Sequence, residues 1–339
     1  MKIQMVGSDF RWYNESYLEA FRRFDCEVHL SKSSFQIDKR NYKTRIKRLL
    51  GFPLDKELQV MQEKRDQSFL EDYLNFKPDL VFVRTGNQVS ESFLSRIKGE
   101  TPVFLYITDA ISAEPRIEKT IKYYDKVFTY ETSDIEIIKK YGIPYETMFG
   151  SFDPKQYYHI PLEKEIDVFF VGFMYPERIE ILKKLSCDFK DYNLRFYGPL
   201  IPKKRYIKRL IFRLSKFSKS FVNSNLGYRE VNTFYNKSKI SLNLHHSQTT
   251  NGWNTRTCEI MATGSFEIVN DNPAISEEFG DCCGTFNSYD DLRSQIHYYL
   301  NNADERDRKS KIAMEKVHQF HTIDKDIARI LSSFEEMQQ

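Results

Sequence analysis

A chain of 339 residues exceeds what one ordinary core fills, so two domains are expected. Its composition, 40% hydrophobic with 29% charged residues, excludes a disordered or fibrous protein. Lys and Arg number 51 against 48 Asp and Glu, and a net charge of +3 selects neither nucleic acid nor membrane as a partner.

The amino terminus, MKIQMVGSDF, has one short apolar run and no cleavage pattern, and no stretch approaches the roughly 18 apolar residues of a membrane span. A cytoplasmic location is expected. Cys26, Cys187, Cys258, Cys282 and Cys283 form no C-x-x-C pair, which fits reduced, buried thiols.

Short β-rich runs alternate with helical stretches through the first half: KIQMV (2–6), CEVHL (26–30), DLVFV (79–83), PVFLYI (102–107) and KVFTY (126–130). That rhythm predicts a parallel, doubly wound sheet. The loop after the first strand holds Gly7, Ser8 and Asp9, and RTGN ends a later strand with Arg84, Gly86 and Asn87. These positions are expected to line a cleft. They do not form the G-x-G-x-x-G fingerprint of a dinucleotide dehydrogenase. Asp109 ends LYITD, would face the same cleft and is the leading carboxylate for a general base; capping the next helix is the alternative.

SFDPKQYYHIPLEKE, between Gly150 and Glu165, carries two prolines and no periodicity and reads as a linker. The strands then resume as DVFFVG (167–172), NLRFYG (193–198), KISLNLHH (239–246), SFEIVN (265–270) and GTFNS (284–288), before a long helical stretch broken near His321. The expected domains are 1–153 and 154–325, each Rossmann-like, followed by a helix over 326–339. Two such lobes would face a central cleft at their strand carboxyl ends.

In NGWNTRTCEIMATG, TRTCEIMA reads as a short helix, with Asn254 as N-cap and Gly264 past its end. Strand, loop and helix in that order aim a helix N-terminus at the ligand edge, where a phosphate is favoured. Arg256 in the first turn suits a diphosphate, and Glu259, one turn farther, suits a ribose diol. The plainer alternative is an i, i+3 surface ion pair.

TRTCEIMATGSFEIVND, with SKISLNLHH before it and EEFG and DDLRSQIHYYLNNADERDR after it, resembles the C-terminal domain of GT-B glycosyltransferases. The likeness is to a family 1/4-type domain and in particular to the CgeB-like, spore-maturation-protein group. YITDA and PYETMFGSFDPKQY extend it into the first half. The resemblance implies a metal-independent transferase without cofactor, moving a sugar from a nucleotide-sugar, such as a UDP-sugar, to a hydroxyl. The family grips its donor with two glutamates eight positions apart; Glu259 would be the second, and Asn251 stands where the first is expected, leaving donor sugar and stereochemistry open. Donor contacts are accordingly expected from Asn251, Gly252, Trp253, Asn254, Thr255, Arg256 and Glu259, together with Asn243 and His245 at the preceding strand end. Gly172, Arg178 and Gly198, at two further strand ends, complete the donor set; a turn glycine and a solvated arginine are the alternative. The D-x-D at Asp324–Asp326 reads as helix-start chemistry rather than a metal site.

PKKRYIKRLIFRLSKFSKS (202–220) and KRNYKTRIKRLL (39–50) mix cations with apolar residues. They suit an anionic membrane surface, with Phe212 and Phe217 in lipid and Arg209 and Lys216 on phosphate, and hence a lipid-linked or cell-surface glycan acceptor. A nucleic-acid partner, through glycosylation of modified DNA bases, is the minor alternative. A nucleotide-sugar epimerase and a non-catalytic two-lobed sugar binder are the other classes.

Overall fold

The computed structural model of the protein describes residues 1–7, 13–32, 55–201, 205, 210, 212, 214–245 and 249–339. Ser8, Asp9, Arg209 and the segment 39–50 lie outside the described residues. The chain divides into two units, Met1–Met148 with Asp326–Gln339, and Phe149–Lys325. The observed division falls a few residues before the expected one, and the tail 326–339 belongs to the first unit.

In the first unit six parallel strands run in the order β2-β1-β3-β4-β5-β6. They are β1 (Lys2–Gly7), β2 (Glu27–Lys32), β3 (Leu80–Arg84), β4 (Val103–Ile107), β5 (Lys126–Thr129) and β6 (Tyr145–Thr147). Every residue of β3 and β4 is buried. Val81, Val83, Leu105 and Ile107 enter one core, while Phe82 points to the opposite face, against the rings of Tyr17 and Phe21. Burial on both faces produces the unbroken apolar runs of the sequence. The last helix, Ile323–Gln338, adds Ile327 and Ile330 to this unit, and the Tyr17 hydroxyl donates to buried Asp326 Oδ2 at 3.2 Å.

The second unit repeats the plan with the parallel order β12-β11-β10-β7-β8-β9. Its strands are β7 (Ile166–Val171), β8 (Leu194–Tyr197), β9 (Phe221–Val222), β10 (Ser238–Asn243), β11 (Phe266–Asn270) and β12 (Gly284–Phe286). Val168, Phe170, Leu242 and Ile268 fill one face, and Phe169 and Val269 the other, beneath Cys258, Ile260 and Met261 of the helix Thr255–Ala262.

The stretch read as a linker is a strap on this second core. Phe152 and Tyr157 are buried, Tyr158 N donates to Asn232 Oδ1 (3.1 Å), Ile160 N to Asn236 Oδ1 (2.6 Å) and Lys164 Nζ to the Gly264 carbonyl (2.7 Å). Its prolines punctuate a segment anchored by aromatics and side-chain amides, which carry no periodic signal. Phe217 likewise is 7% exposed and stacks on Phe221 at 5.0 Å, with the Phe212 ring 5.6 Å from Phe221. These rings serve the protein core, not lipid, because they form a cluster under the edge strand β9.

Gly150 ties the start of this unit to the helix Thr255–Ala262. Its carbonyl accepts from Trp253 Nε1 (3.0 Å) and Cys258 Sγ (3.1 Å), and a Cβ there would stand 2.3 Å from Thr255 N. Gly150→Ala is therefore expected to destabilise the protein by about 2–4 kcal/mol through overpacking against backbone, measured as a lowered urea midpoint; an unchanged midpoint would show that the helix start yields freely.

Candidate donor site at the carboxyl ends of the second sheet

In an open parallel sheet, ligands bind outside the strand carboxyl ends where the strand order reverses. In the second unit that point lies between β7 and β10, which pair directly while their chains leave toward opposite edges. Gly172 follows β7, and Leu244 and His245 follow β10. The next helix, Pro176–Asp188, opens with proline at its first position, which needs no amide donor there. Arg178, in that first turn, is 6% exposed. Its Nη2 donates to the Leu244 carbonyl and its Nη1 to the Phe173 carbonyl (3.1 Å), while its guanidinium lies over the Tyr175 ring at 4.9 Å. Nε is buried with no partner among the described residues. A Cβ on Gly198 would stand 2.1 Å from the Gly172 carbonyl oxygen, so that glycine lets β8 close against the end of β7.

The helix Thr255–Ala262 starts as its sequence indicates. Asn254 is extended and its side chain accepts from Arg256 N at 3.0 Å, and Gly264 follows at φ +74. Arg256 is half-buried, and Glu259, one turn deeper, is 4% exposed. Trp253 turns inward, stacked on Phe149 at 4.0 Å with its indole N–H on Gly150. Gly252 and Asn251 serve the neighbouring helix Pro273–Phe279: Asn272 Nδ2 donates to the Gly252 carbonyl, and Asn251 Oδ1 accepts from Ala274 N.

Asn243, fully buried, joins strand to helix. Its Nδ2 lies 3.0 Å from Thr257 Oγ1, 3.0 Å from Glu267 Oε1 and 3.3 Å from Asn254 Oδ1, and its Oδ1 lies 3.4 Å from Arg256 Nη1. Glu267, on β11 opposite Ser241, is 1% exposed. Burial pushes its carboxyl up to about 7, against the opposing pull of Asn243, Thr257 and Arg256. Sequence reasoning missed Glu267, for which a lone acid in the strand run SFEIVN is the one signal. Burial also lowers Arg178 to about 10, with repulsion from Arg256 adding to it. Burial and the same two arginines push His245 down to about 3, so its imidazole is neutral. The His245 backbone N–H donates to Asn270 Oδ1 at 2.7 Å, its ring Nε2 lies 3.4 Å from Asn243 Nδ2, and its Nδ1 is buried without a partner among the described residues.

The first unit has its own reversal point, between β1 and β3. Gly7 ends β1 against Asn14, whose Oδ1 would lie 2.8 Å from a Cβ. Arg84 ends β3, 6% exposed, with Tyr13 and Tyr17 rings 5.4 and 5.3 Å from its guanidinium and Nη1 donating to Asn14 Oδ1 at 3.3 Å. Thr85 and Gly86 follow at φ 82 and 84, and a β-branched residue in that region is strained. Asn87 Oδ1 is buried without a partner among the described residues. Asp109 is half-buried, its carboxyl raised by burial and drawn back by Arg84. It caps no helix, since the next one, Arg116–Thr120, begins after Pro115. The strain at Thr85 and the Tyr17–Asp326 pair are invisible to local pattern.

No cluster of three His, Cys, Asp or Glu that could hold a metal occurs among the described residues, and no described helix is long and apolar enough to cross a membrane. Two surface grooves, about 690 and 910 Å³, lie away from the strand carboxyl ends; the first borders Met1, Pro78 and Pro102, at strand amino ends.

Residues 178–332 match the model of a family described as glycosyl transferase-like, a span that begins at Arg178 and includes Arg256 and Glu259. No curated protein matches the chain in sequence. Among solved structures, the chain is similar to the sucrose-phosphate synthase of Thermosynechococcus elongatus, with a TM-score of 0.74 and 10% identity over 99% of both chains. It is similar to HepE of Anabaena, solved in complex with UDP-glucose, with a TM-score of 0.65 and 14% identity over 98% of this chain and 100% of that one. A glycosyltransferase from Rickettsia africae ESF-5 gives a TM-score of 0.69 and 12% identity over 100% and 98%. The fold is GT-B, built on two six-stranded parallel sheets.

Glu267 binds its proton more tightly folded than unfolded, so stability falls as pH rises from 4.5 to about 7 and is level above it. Glu267→Gln removes this slope. Thermal unfolding of the two proteins across pH 4.5–8 is expected to show the wild type losing up to roughly 3 kcal/mol relative to the variant over that window, whereas parallel curves would contradict the raised carboxyl.

Proposed function

We propose that the protein is a glycosyltransferase that binds a nucleotide-diphosphate-sugar at the second unit's reversal point and transfers the sugar to a hydroxyl. The observation that carries this reading is the convergence of Arg178 and Arg256 there. Both cations bear on neutral His245, and the two repel one another. A diphosphate relieves that repulsion, and a helix N-terminus adds its positive end. As the donor's bond to sugar breaks, charge grows on the leaving phosphate, and preorganised donors favour that change. Arg256, Arg178 and the His245 ring supply them in this reading, with no metal ion required.

Glu259 is assigned to the ribose diol; at 4% exposure it meets a ligand only after the side chains around it give way. Asn243 and Asn254 set the helix start, and Gly172 and Gly198 keep the strand ends low. In the first unit, Asp109 is the base if the reaction inverts, and Arg84 with Gly86 and Asn87 shapes the acceptor ground. The resemblance carried by TRTCEIMATGSFEIVND supports membership of the CgeB-like group in this reading. A membrane-borne glycan acceptor fits Leu210 and Leu214, exposed at 60% and 82%, near Lys216 and Lys219.

A thermal-shift panel of nucleoside diphosphates and their sugars tests the reading, because a ligand of the folded state raises the midpoint by mass action. At least one member, UDP foremost, is expected to stabilise the wild type, and Arg256→Ala to weaken its affinity by about ten- to a hundredfold. No stabilisation by any member, or unchanged affinity in Arg256→Ala, would remove the assignment.

A further inference from the structure

An acid behind Arg256, once ionised, opposes anion binding at the proposed site. Glu267 is fully enclosed, and its Oε2 has no partner among the described residues. Burying such a group unsatisfied costs stability, which marks it as retained for another reason. Its Oε1 is engaged by Asn243 Nδ2 at 3.0 Å. That contact settles which end of the Asn243 amide faces which way. With Nδ2 drawn toward Glu267 and Thr257, Oδ1 faces Arg256 Nη1, and a carbonyl oxygen is the end that accepts from a guanidinium. If the amide turned over, its NH2 would confront the cation.

The geometry points to Glu267 as a positioning residue that, through Asn243, holds Arg256 in place to bind the diphosphate of a nucleotide. This rests on the donor-site reading above. Glu267 touches no ligand in it. Near neutrality the Glu267 carboxyl exchanges between a neutral acid and a carboxylate, and an anion held by Arg256 favours the neutral form. The groups bearing on it are Arg256 from the capped helix, Cys282 and Cys283 from the turn before β12, and neutral His245 beyond Asn243. Both thiols are pushed upward by burial, Cys282 to about 12, so among these groups Glu267 alone titrates near pH 7.

Calorimetric titration of UDP into the wild type, Glu267→Gln, Glu267→Leu, Arg256→Ala and Glu267→Leu with Arg256→Ala tests this. Glutamine keeps the acceptor oxygen, so Glu267→Gln is expected to hold affinity within about twofold at pH 6. It should also lose that part of the affinity decline between pH 6 and 8 which exceeds the titration of UDP itself. Leucine removes the acceptor and should weaken binding about tenfold or more, with no further loss when Arg256 is already alanine. Equal affinity in wild type and Glu267→Leu, or additive losses in the double variant, would overturn the proposal while leaving the donor site standing. Should the leucine variant not fold, a Glu267→Gln protein with the wild-type pH dependence overturns it alone. A wild type that binds no nucleoside diphosphate overturns the donor-site reading and this proposal together.

Discussion

The side chain of Asn243 is the constraint on which the second unit's ligand edge depends. One amide at the end of a central strand reaches the N-cap of a helix, a hydroxyl in that helix's first turn, a carboxyl on the next strand and an arginine facing outward. The amide is fully buried, so each contact is made in a low dielectric and the loss of one disturbs the rest. The helix that carries Arg256 and Glu259 is thereby fixed to the sheet at its N-terminal end, where its dipole faces ligand space.

The two electrostatic signs at this edge are arranged by depth. Cations stand toward the surface end, on Arg178 and Arg256, and the acid Glu267 lies behind them within the sheet. Desolvation works on both in the same direction, toward neutrality, lowering Arg178 and raising Glu267. An anion entering from the front would favour the charged state of Arg178 and the uncharged state of the acid.

Much of the fold was legible because both sheets are buried on two faces, which turns strands such as DVFFVG into continuous apolar runs bounded by Gly172 and the following proline. The short edge strands β6 and β9 were not, since three and two residues hold no alternation. The helix over Thr255–Ala262 announced itself through Asn254 and Gly264, local signals that the backbone obeys. What local pattern could not disclose is contact across the chain. Asn251 and Trp253 lie in the loop that the resemblance marked for a ligand, yet Trp253 packs on Phe149 and Asn251 holds the helix at Pro273. Glu267 becomes informative only once β10 is known to be its neighbour.

The last helix has a bearing on how the polypeptide matures. The first unit's sheet is complete by Thr147, but Asp326, which accepts from Tyr17, and the buried Ile327 and Ile330 of the same unit emerge from the ribosome only after the whole second unit has been made. Until then an apolar flank of the earlier-made half stays uncovered and open to improper association, a hazard that a contiguous arrangement would have avoided. The order of synthesis and the order of completion are thus reversed: the half begun first is finished last.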